Sequence, residues 1–276
     1  MDKKKLSSVA LNIRKNVIAA VHAAKSGHPG GSLGIAEILA YLYFEEMNID
    51  PKNPGWDDRD RFVLSKGHTS PAYYAVLAEK GFFDKELLLT FRKPDSILQG
   101  HPDMKKIPGV DMSTGSLGQG ISTACGMALS AKVTNKNFRV YAVLGDGETE
   151  EGQVWEAAMM AAHYNLDNLC IFVDSNGLQI DGPVCEVMNP QPLDEKFSAF
   201  GWNVCVIDGH NFDEIAKACE NARQSDKPTA VICKTVKGKG VSFMENNVAW
   251  HGSAPNDEQY EIAVSDLLKI EAELNA

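Results

Sequence analysis

The stretch from Phe138 to Asn176, FRVYAVLGDGETEEGQVWEAAMMAAHYNLDNLCIFVDSN, decides the fold. An apolar run, FRVYAVL, ends at Gly145-Asp146-Gly147. The segment EGQVWEAAMMAAHY has helical spacing, and a second apolar run, LCIFVD, ends at Ser175-Asn176. Runs that are apolar on both faces and separated by a helix predict neighbouring parallel strands, each buried on two sides. The pattern continues outward with helix PLDEKFSAFG, strand NVCVI, helix FDEIAKACENA and strand TAVICKT. Upstream, RFVLSKGH reads as a short buried strand ending near Ser65, and SPAYYAVLAEKG as a helix stopped by Gly81. A further helix is expected over about residues 120–133, and a C-terminal one from about Asp257 to Glu273. The expected fold is α/β, a parallel sheet with helices on both faces, and the 276 residues are expected to form a single domain, 1–276.

Near the N-terminus, Leu6, Val9, Ile13, Val17 and Val21 recur at three- and four-residue steps, the stripe of an amphipathic helix. Asn12, Arg14, Lys15 and Asn16 break the apolar stretch that an export signal needs. The segment Ser26–Gly34, SGHPGGSLG, is read as a loop, followed by a helix carrying Ile35, Ile38, Leu39 and Leu42. No run reaches membrane-spanning length. The six cysteines, at 125, 170, 185, 205, 219 and 233, form no CxxC pair and read as reduced core residues of a cytoplasmic protein. A formal charge of −10, with basic residues scattered, argues against nucleic acid as a partner.

In open parallel sheets ligands bind beyond the C-terminal strand ends, where Asp146 and Asn176 fall. A carboxylate there is costly unless a cation or hydrogen bonds meet it. Magnesium, with about six oxygen ligands shared among protein, phosphates and water, suits Asp146 and Asn176 on adjacent strands. Helix capping and turn formation explain the same two residues taken singly. Phosphate-loop and dinucleotide alternatives fare worse: TGSLGQG spaces its glycines as GxxGxG, and no GxxxxGK[ST] occurs. Four histidines, His28, His68, His101 and His251, fall in glycine-rich or strand-end loops without the short His–His spacings of zinc sites, so a polyhydroxylated substrate or a diphosphate suits them better.

GDG followed about thirty residues later by Asn resembles the signature of enzymes that hold thiamine diphosphate through a metal. SGHPGGSLG, SKGH, GHP, TGSLGQG, GDGETEEG, DSNGLQIDG and WHGSAP resemble transketolase motifs, in the family's order, from about Ser26 to Pro255. The resemblance implies that Asp146 and Asn176 bind Mg2+ (or Ca2+ or Mn2+) by side chain and Leu178 by its carbonyl, and that Gly147 meets the diphosphate. It implies that Gly115, Ser116 and Leu117 line thiamine diphosphate, that His68 and His251 reach the diphosphate, and that His28, His101 and His251 serve catalysis. Glu151 and Glu156 match acids that join two cofactor sites across a dimer interface. Ser116 stands where many relatives have Pro, and Leu178 where many have Ile.

A full-length transketolase continues into a pyrimidine-binding domain and a third domain. The chain therefore resembles the diphosphate-binding, N-terminal subunit of a split enzyme. The expectation is ketol transfer from a ketose phosphate to an aldose phosphate in the pentose phosphate pathway. A homodimer of this chain would sit within a heterotetramer with a C-terminal transketolase subunit, which supplies the glutamate that activates the cofactor. Alternatives are a related thiamine enzyme, of the deoxyxylulose phosphate synthase or unusual-sugar transketolase kind, or a non-catalytic cofactor-binding module.

Overall fold

The computed structural model describes every residue, Met1–Ala276. Its centre is a five-stranded sheet made of β1 (Arg61–Leu64), β2 (Val140–Gly145), β3 (Leu169–Ser175), β6 (Asn203–Asp208) and β7 (Thr229–Lys234). The order across the sheet is β1-β2-β3-β7-β6, and every pairing is parallel. All five C-terminal ends therefore open on one edge. A two-residue hairpin, β4 (Leu178–Gln179) and β5 (Gly182–Pro183), hangs just beyond β3.

Alternate strand residues feed two cores, as the pleat requires. Phe62, Leu64, Tyr141, Val143, Cys170, Phe172 and Val231 join the larger core. It is completed by α1 (Lys3–Ala24), α3 (Ala36–Tyr41), α4 (Ser70–Lys80), α9 (Phe212–Gln224) and α10 (Asp257–Asn275). Val63, Ala142, Leu144, Ile171, Val173 and Ala230 face the other way. There they meet α5 (Gln119–Val133), α6 (Gly152–His163) and α8 (Leu193–Ala199). The sequence expectation of a parallel sheet with helices on both faces holds, and the N-terminal stripe is buried as read: Leu6, Ile13, Val17 and Val21 are fully covered. Gly81 ends α4 in the left-handed conformation at φ 96 that favours glycine.

Three expectations are corrected. Within the segment read as loop, Pro29–Leu33 forms a helical turn, α2, because the fixed φ of Pro29 suits a first turn and Ser32 donates to the His28 carbonyl at 2.7 Å. The cover is incomplete at the edge strand β6, where Val206 is 46% exposed. Only four of the six cysteines are core residues: Cys185 is exposed and Cys205 half-buried, and all six are free. The remaining short helix, α7 (Val184–Val187), follows the hairpin. No helix is long and apolar enough to cross a membrane.

Candidate active site at the C-terminal edge of the sheet

The loops leaving β1, β2, β3 and β7 converge on a cleft of about 270 Å³. Asp146, at the tip of β2, is almost fully buried and spends both oxygens on backbone: Oδ1 accepts from Gly147 N at 2.8 Å and Oδ2 from Gly177 N at 2.6 Å. Burial, and next the negative charge of Asp174, raise its pKa to about 6. Its oxygens keep unused lone pairs directed at a region where a cation would relieve that cost.

Asn176 is oriented from behind. Its Nδ2 donates to Asp174 Oδ2 at 2.9 Å, which leaves Oδ1 as the free-facing acceptor, bonded only by Leu178 N at 3.1 Å. Asp174 is fully buried and also bonded by Thr235 and Lys66. Burial alone would raise the Asp174 pKa; the Lys66 ammonium beside it outweighs that and holds it below the usual carboxylate range. The Leu178 carbonyl accepts from Lys237 Nζ at 3.0 Å. Lys237 is itself buried, and burial lowers its pKa to about 8.

Across the cleft stand three imidazoles. The ring centroids of His28, His68 and His251 lie 5.2 Å (28 to 68), 5.6 Å (28 to 251) and 5.2 Å (68 to 251) apart. His251 Nδ1 lies 3.0 Å from Lys237 Nζ. Because an ammonium only donates, Nδ1 accepts and the His251 hydrogen sits on Nε2. Burial first, then neighbouring cations, push all three rings down: His28 to about 4 (Arg92 its strongest charged neighbour), His251 to about 3 (Lys237), and His68 well below its ordinary value (Lys66). The three are neutral at physiological pH and can each give or take a hydrogen bond. His28 Nδ1 is buried with no protein partner, an orphan that a bound polar group would satisfy.

The wall opposite β2 is the TGSLGQG loop. Glu148 fixes it: Oε1 accepts from Gly118 N at 2.9 Å while Oε2 accepts from Gly145 N at 3.1 Å. A side chain at Gly120 would place Cβ 2.6 Å from Ser65 Cα, so α5 starts as close to β1 as backbone allows. Gly115 and Leu117 line the cleft.

Of the residues singled out in the sequence, the fold brings together His28, His68, His251, Gly115, Leu117, Asp146, Gly147, Asn176 and Leu178. His101 and Ser116 lie on an adjoining groove that shares Gly115 with the cleft. Glu151, which precedes α6, and Glu156, on it, are both exposed and lie outside the cleft. Sequence reasoning missed Lys66, Asp174, Lys237 and Glu148, although the first, second and fourth lie inside quoted motifs.

Fold and cleft together define an open parallel α/β protein with an acid-tipped ligand site at the strand ends. Residues 6–267 match the family model "Transketolase, thiamine diphosphate binding domain". The chain is 50% identical over 258 residues, 93% of its length and 94% of the relative's, to the 6-deoxy-6-sulfo-D-fructose transketolase subunit SqwG of Clostridium sp. (strain MSTE9). It is 42% identical to an apulose-4-phosphate transketolase subunit from Phocaeicola vulgatus, covering 92% of this chain and 90% of that one. The transketolase of Campylobacter jejuni superposes with a TM-score of 0.92 at 36% identity, covering 97% of this chain and 43% of that one. The chain therefore belongs to the transketolase family, as the N-terminal, thiamine diphosphate-binding chain of the split type. The motif resemblance is borne out at that level. The chain spans less than half the length of the single-chain transketolase structure it matches.

Proposed function

We propose that this chain, acting as one domain, holds the diphosphate end of thiamine diphosphate through a divalent cation, magnesium foremost, and positions a ketose phosphate for two-carbon ketol transfer to an aldose acceptor. The observation that carries the reading is the convergence, in one cleft, of Asp146, the Asn176 Oδ1 and the Leu178 carbonyl with three neutral imidazoles. The donor set is all oxygen, which suits a hard cation, and the orphan His28 Nδ1 shows that the pocket's own residues leave polar capacity unused. Asp146, Asn176 and the Leu178 carbonyl take the cation, with calcium or manganese as substitutes. Gly147, His68 and His251 meet the diphosphate, and Gly115, Ser116 and Leu117 flank the thiazole by backbone.

When bound, the cofactor supplies the reactive carbon that accepts the two-carbon unit. His28 and His101 hydrogen-bond the sugar's carbonyl and hydroxyls, and His251 stands close enough to His28 to serve both ends. Neutral imidazoles suit that work because each can donate to a developing oxyanion and accept from a hydroxyl. Glu151 and Glu156, exposed at the start of α6, face a second copy of this chain in a heterotetramer completed by a C-terminal transketolase subunit, in the cytoplasm.

Two names among the relatives favour a second reading of the donor. The relatives of this length act, by name, on 6-deoxy-6-sulfo-D-fructose and on apulose 4-phosphate, so a ketose outside the pentose phosphate pathway is the stronger candidate. Turnover of these two ketoses against xylulose 5-phosphate, with the partner chain present, separates the two donors.

The assignment of Asp146 is tested by Asp146→Ala in the assembled enzyme. Calorimetric titration with thiamine diphosphate and magnesium should show metal-dependent binding abolished, while circular dichroism shows an intact fold. Unchanged cofactor affinity would sink the metal role.

A further inference from the structure

Arg92 lies between the loops of His28 and His101 and belongs to no motif singled out in the sequence. Its backbone is in the left-handed region at φ 59, a conformation that non-glycine residues hold only when surroundings enforce it. Its amide is pinned to the Leu98 carbonyl at 2.8 Å. The guanidinium then reaches two other segments. Nη1 donates to Ser26 Oγ at 2.5 Å, two residues before His28. Its plane lies so close to Gly100, the residue before His101, that a Cβ there would stand 2.9 Å from both Nε and Nη2. The neighbouring Phe91 ring packs under Gly27, whose own Cβ would meet it at 3.1 Å.

The far side of the His101 loop is held as well. Gly100 accepts from Ser70 Oγ at 2.8 Å through its carbonyl, and the His101 ring backs onto Gly115 with 3.1 Å to a Cβ built there. The Arg92 Nε is buried without a hydrogen-bond partner, so the side chain is kept in place against a desolvation cost. After burial, its charge is the leading influence on both His28 and His101, lowering each.

We propose that Arg92 is a positioning residue whose guanidinium clasps the Ser26–His28 turn to the Gly100–His101 turn and so sets the spacing of the two imidazoles. The proposal rests on the reading of His28 and His101 as substrate-facing. A guanidinium can bond Ser26 through Nη1 while Nε and Nη2 lie against Gly100; an ammonium cannot do both.

The test is Arg92→Gln, with Arg92→Lys beside it, measured in two ways. In the full chain, heteronuclear NMR follows the imidazole resonances: those of His28 and His101 should move and those of His163, exposed on α6 at the other face of the sheet, should not. In the assembled enzyme, kcat/KM for the ketose donor should fall about 10- to 100-fold, as expected when a reacting group is displaced by an ångström or less. Thiamine diphosphate affinity should stay unchanged, and Arg92→Lys should not restore turnover. Unmoved His28 and His101 resonances overturn the clasp whatever the turnover. Moved resonances with undiminished kcat/KM support the clasp and instead defeat the substrate-facing reading of the two histidines. Should Arg92→Gln fail to fold, Ser26→Ala opens the same clasp from its other end, and an unmoved His28 resonance there overturns the proposal equally.

Discussion

Replacing Glu37 by Gln tests a buried charge cluster that supports the cleft from below. Glu37, on α3, accepts from Arg14 Nη1 and Nη2 of α1 at 2.7 Å each. It also accepts from His210 Nδ1 at 2.9 Å, while His210 Nε2 accepts from Val236 N at 2.9 Å. The ring's hydrogen is thereby fixed on Nδ1, and the chain of bonds ends one residue short of Lys237. Burial alone would raise the Glu37 pKa, but Arg14 and then His210 outweigh it and bring it from 4.5 to about 2. That preference for the charged form corresponds to roughly 3 kcal/mol of stability at pH 7. Loss of one member of a buried ion pair costs a similar amount, about 3–5 kcal/mol. A glutamate depressed in the fold stabilises above its unfolded pKa, and the contribution is lost as pH falls from 4.5 toward about 2. Urea unfolding followed by circular dichroism should therefore place Glu37→Gln below the wild type by roughly 3 kcal/mol at pH 7. The gap should narrow by about 1 kcal/mol at pH 3.5, since the wild type alone loses this term. A gap under about 1 kcal/mol at pH 7, or one that does not narrow in acid, would refute the reasoning.

Lys66→Met should cost about 3–5 kcal/mol, because it leaves the fully buried Asp174 with only neutral hydrogen-bond partners; a thermal midpoint within about 2 °C of wild type argues that the pair is not a buried charge pair. The same variant should weaken magnesium-dependent cofactor binding in calorimetry, since Asp174 orients Asn176. The chain supplied with magnesium and thiamine diphosphate alone should show no ketol transfer until the partner chain is added; ordinary turnover by this chain by itself would overturn the two-chain reading.

The alternating strands and helices were legible because apolar runs of strand length and helical stripes are local signals. The acid at the strand tip was legible for the same reason: Gly145-Asp146-Gly147 and Asp174-Ser175-Asn176 end apolar runs, and parallel pairing sets Gly145 beside Asp174. What the residues could not disclose is non-local. Lys66 and Asp174 are 108 positions apart, and nothing around either shows that they meet. Of the acids in GDGETEEG, only Asp146 and Glu148 turn inward, and Glu148 does so to bind the amides of Gly145 at the end of β2 and of Gly118 in the TGSLGQG loop. The four loop histidines looked equivalent, yet three form a cluster and His101 stands behind Gly115. His210 was overlooked because a single histidine after a strand carries no pattern. The position of β7 between β3 and β6 was likewise invisible, because nothing in a buried strand names its neighbour.

The cleft's acceptors are already engaged by its own donors, and this bears on how a cation would enter. Two amides on Asp146 and one on Asn176 occupy one lone pair of each oxygen, so under the proposed reading these groups would take a cation without rearrangement. The Leu178 carbonyl differs, because its partner is the Lys237 ammonium. Two cations cannot share one carbonyl without repulsion that burial makes severe. A cation at Leu178 would therefore require Lys237 to swing away or give up its proton, and burial, which lowers its pKa to about 8, eases the second course. In the first course its other partner, His251 Nδ1, would lose its donor as well. Under the proposed reading, a cation at Leu178 and the freedom of His251 would thus be coupled through one side chain, and the Arg14–Glu37–His210 cluster holds the amide of Val236, the residue before Lys237.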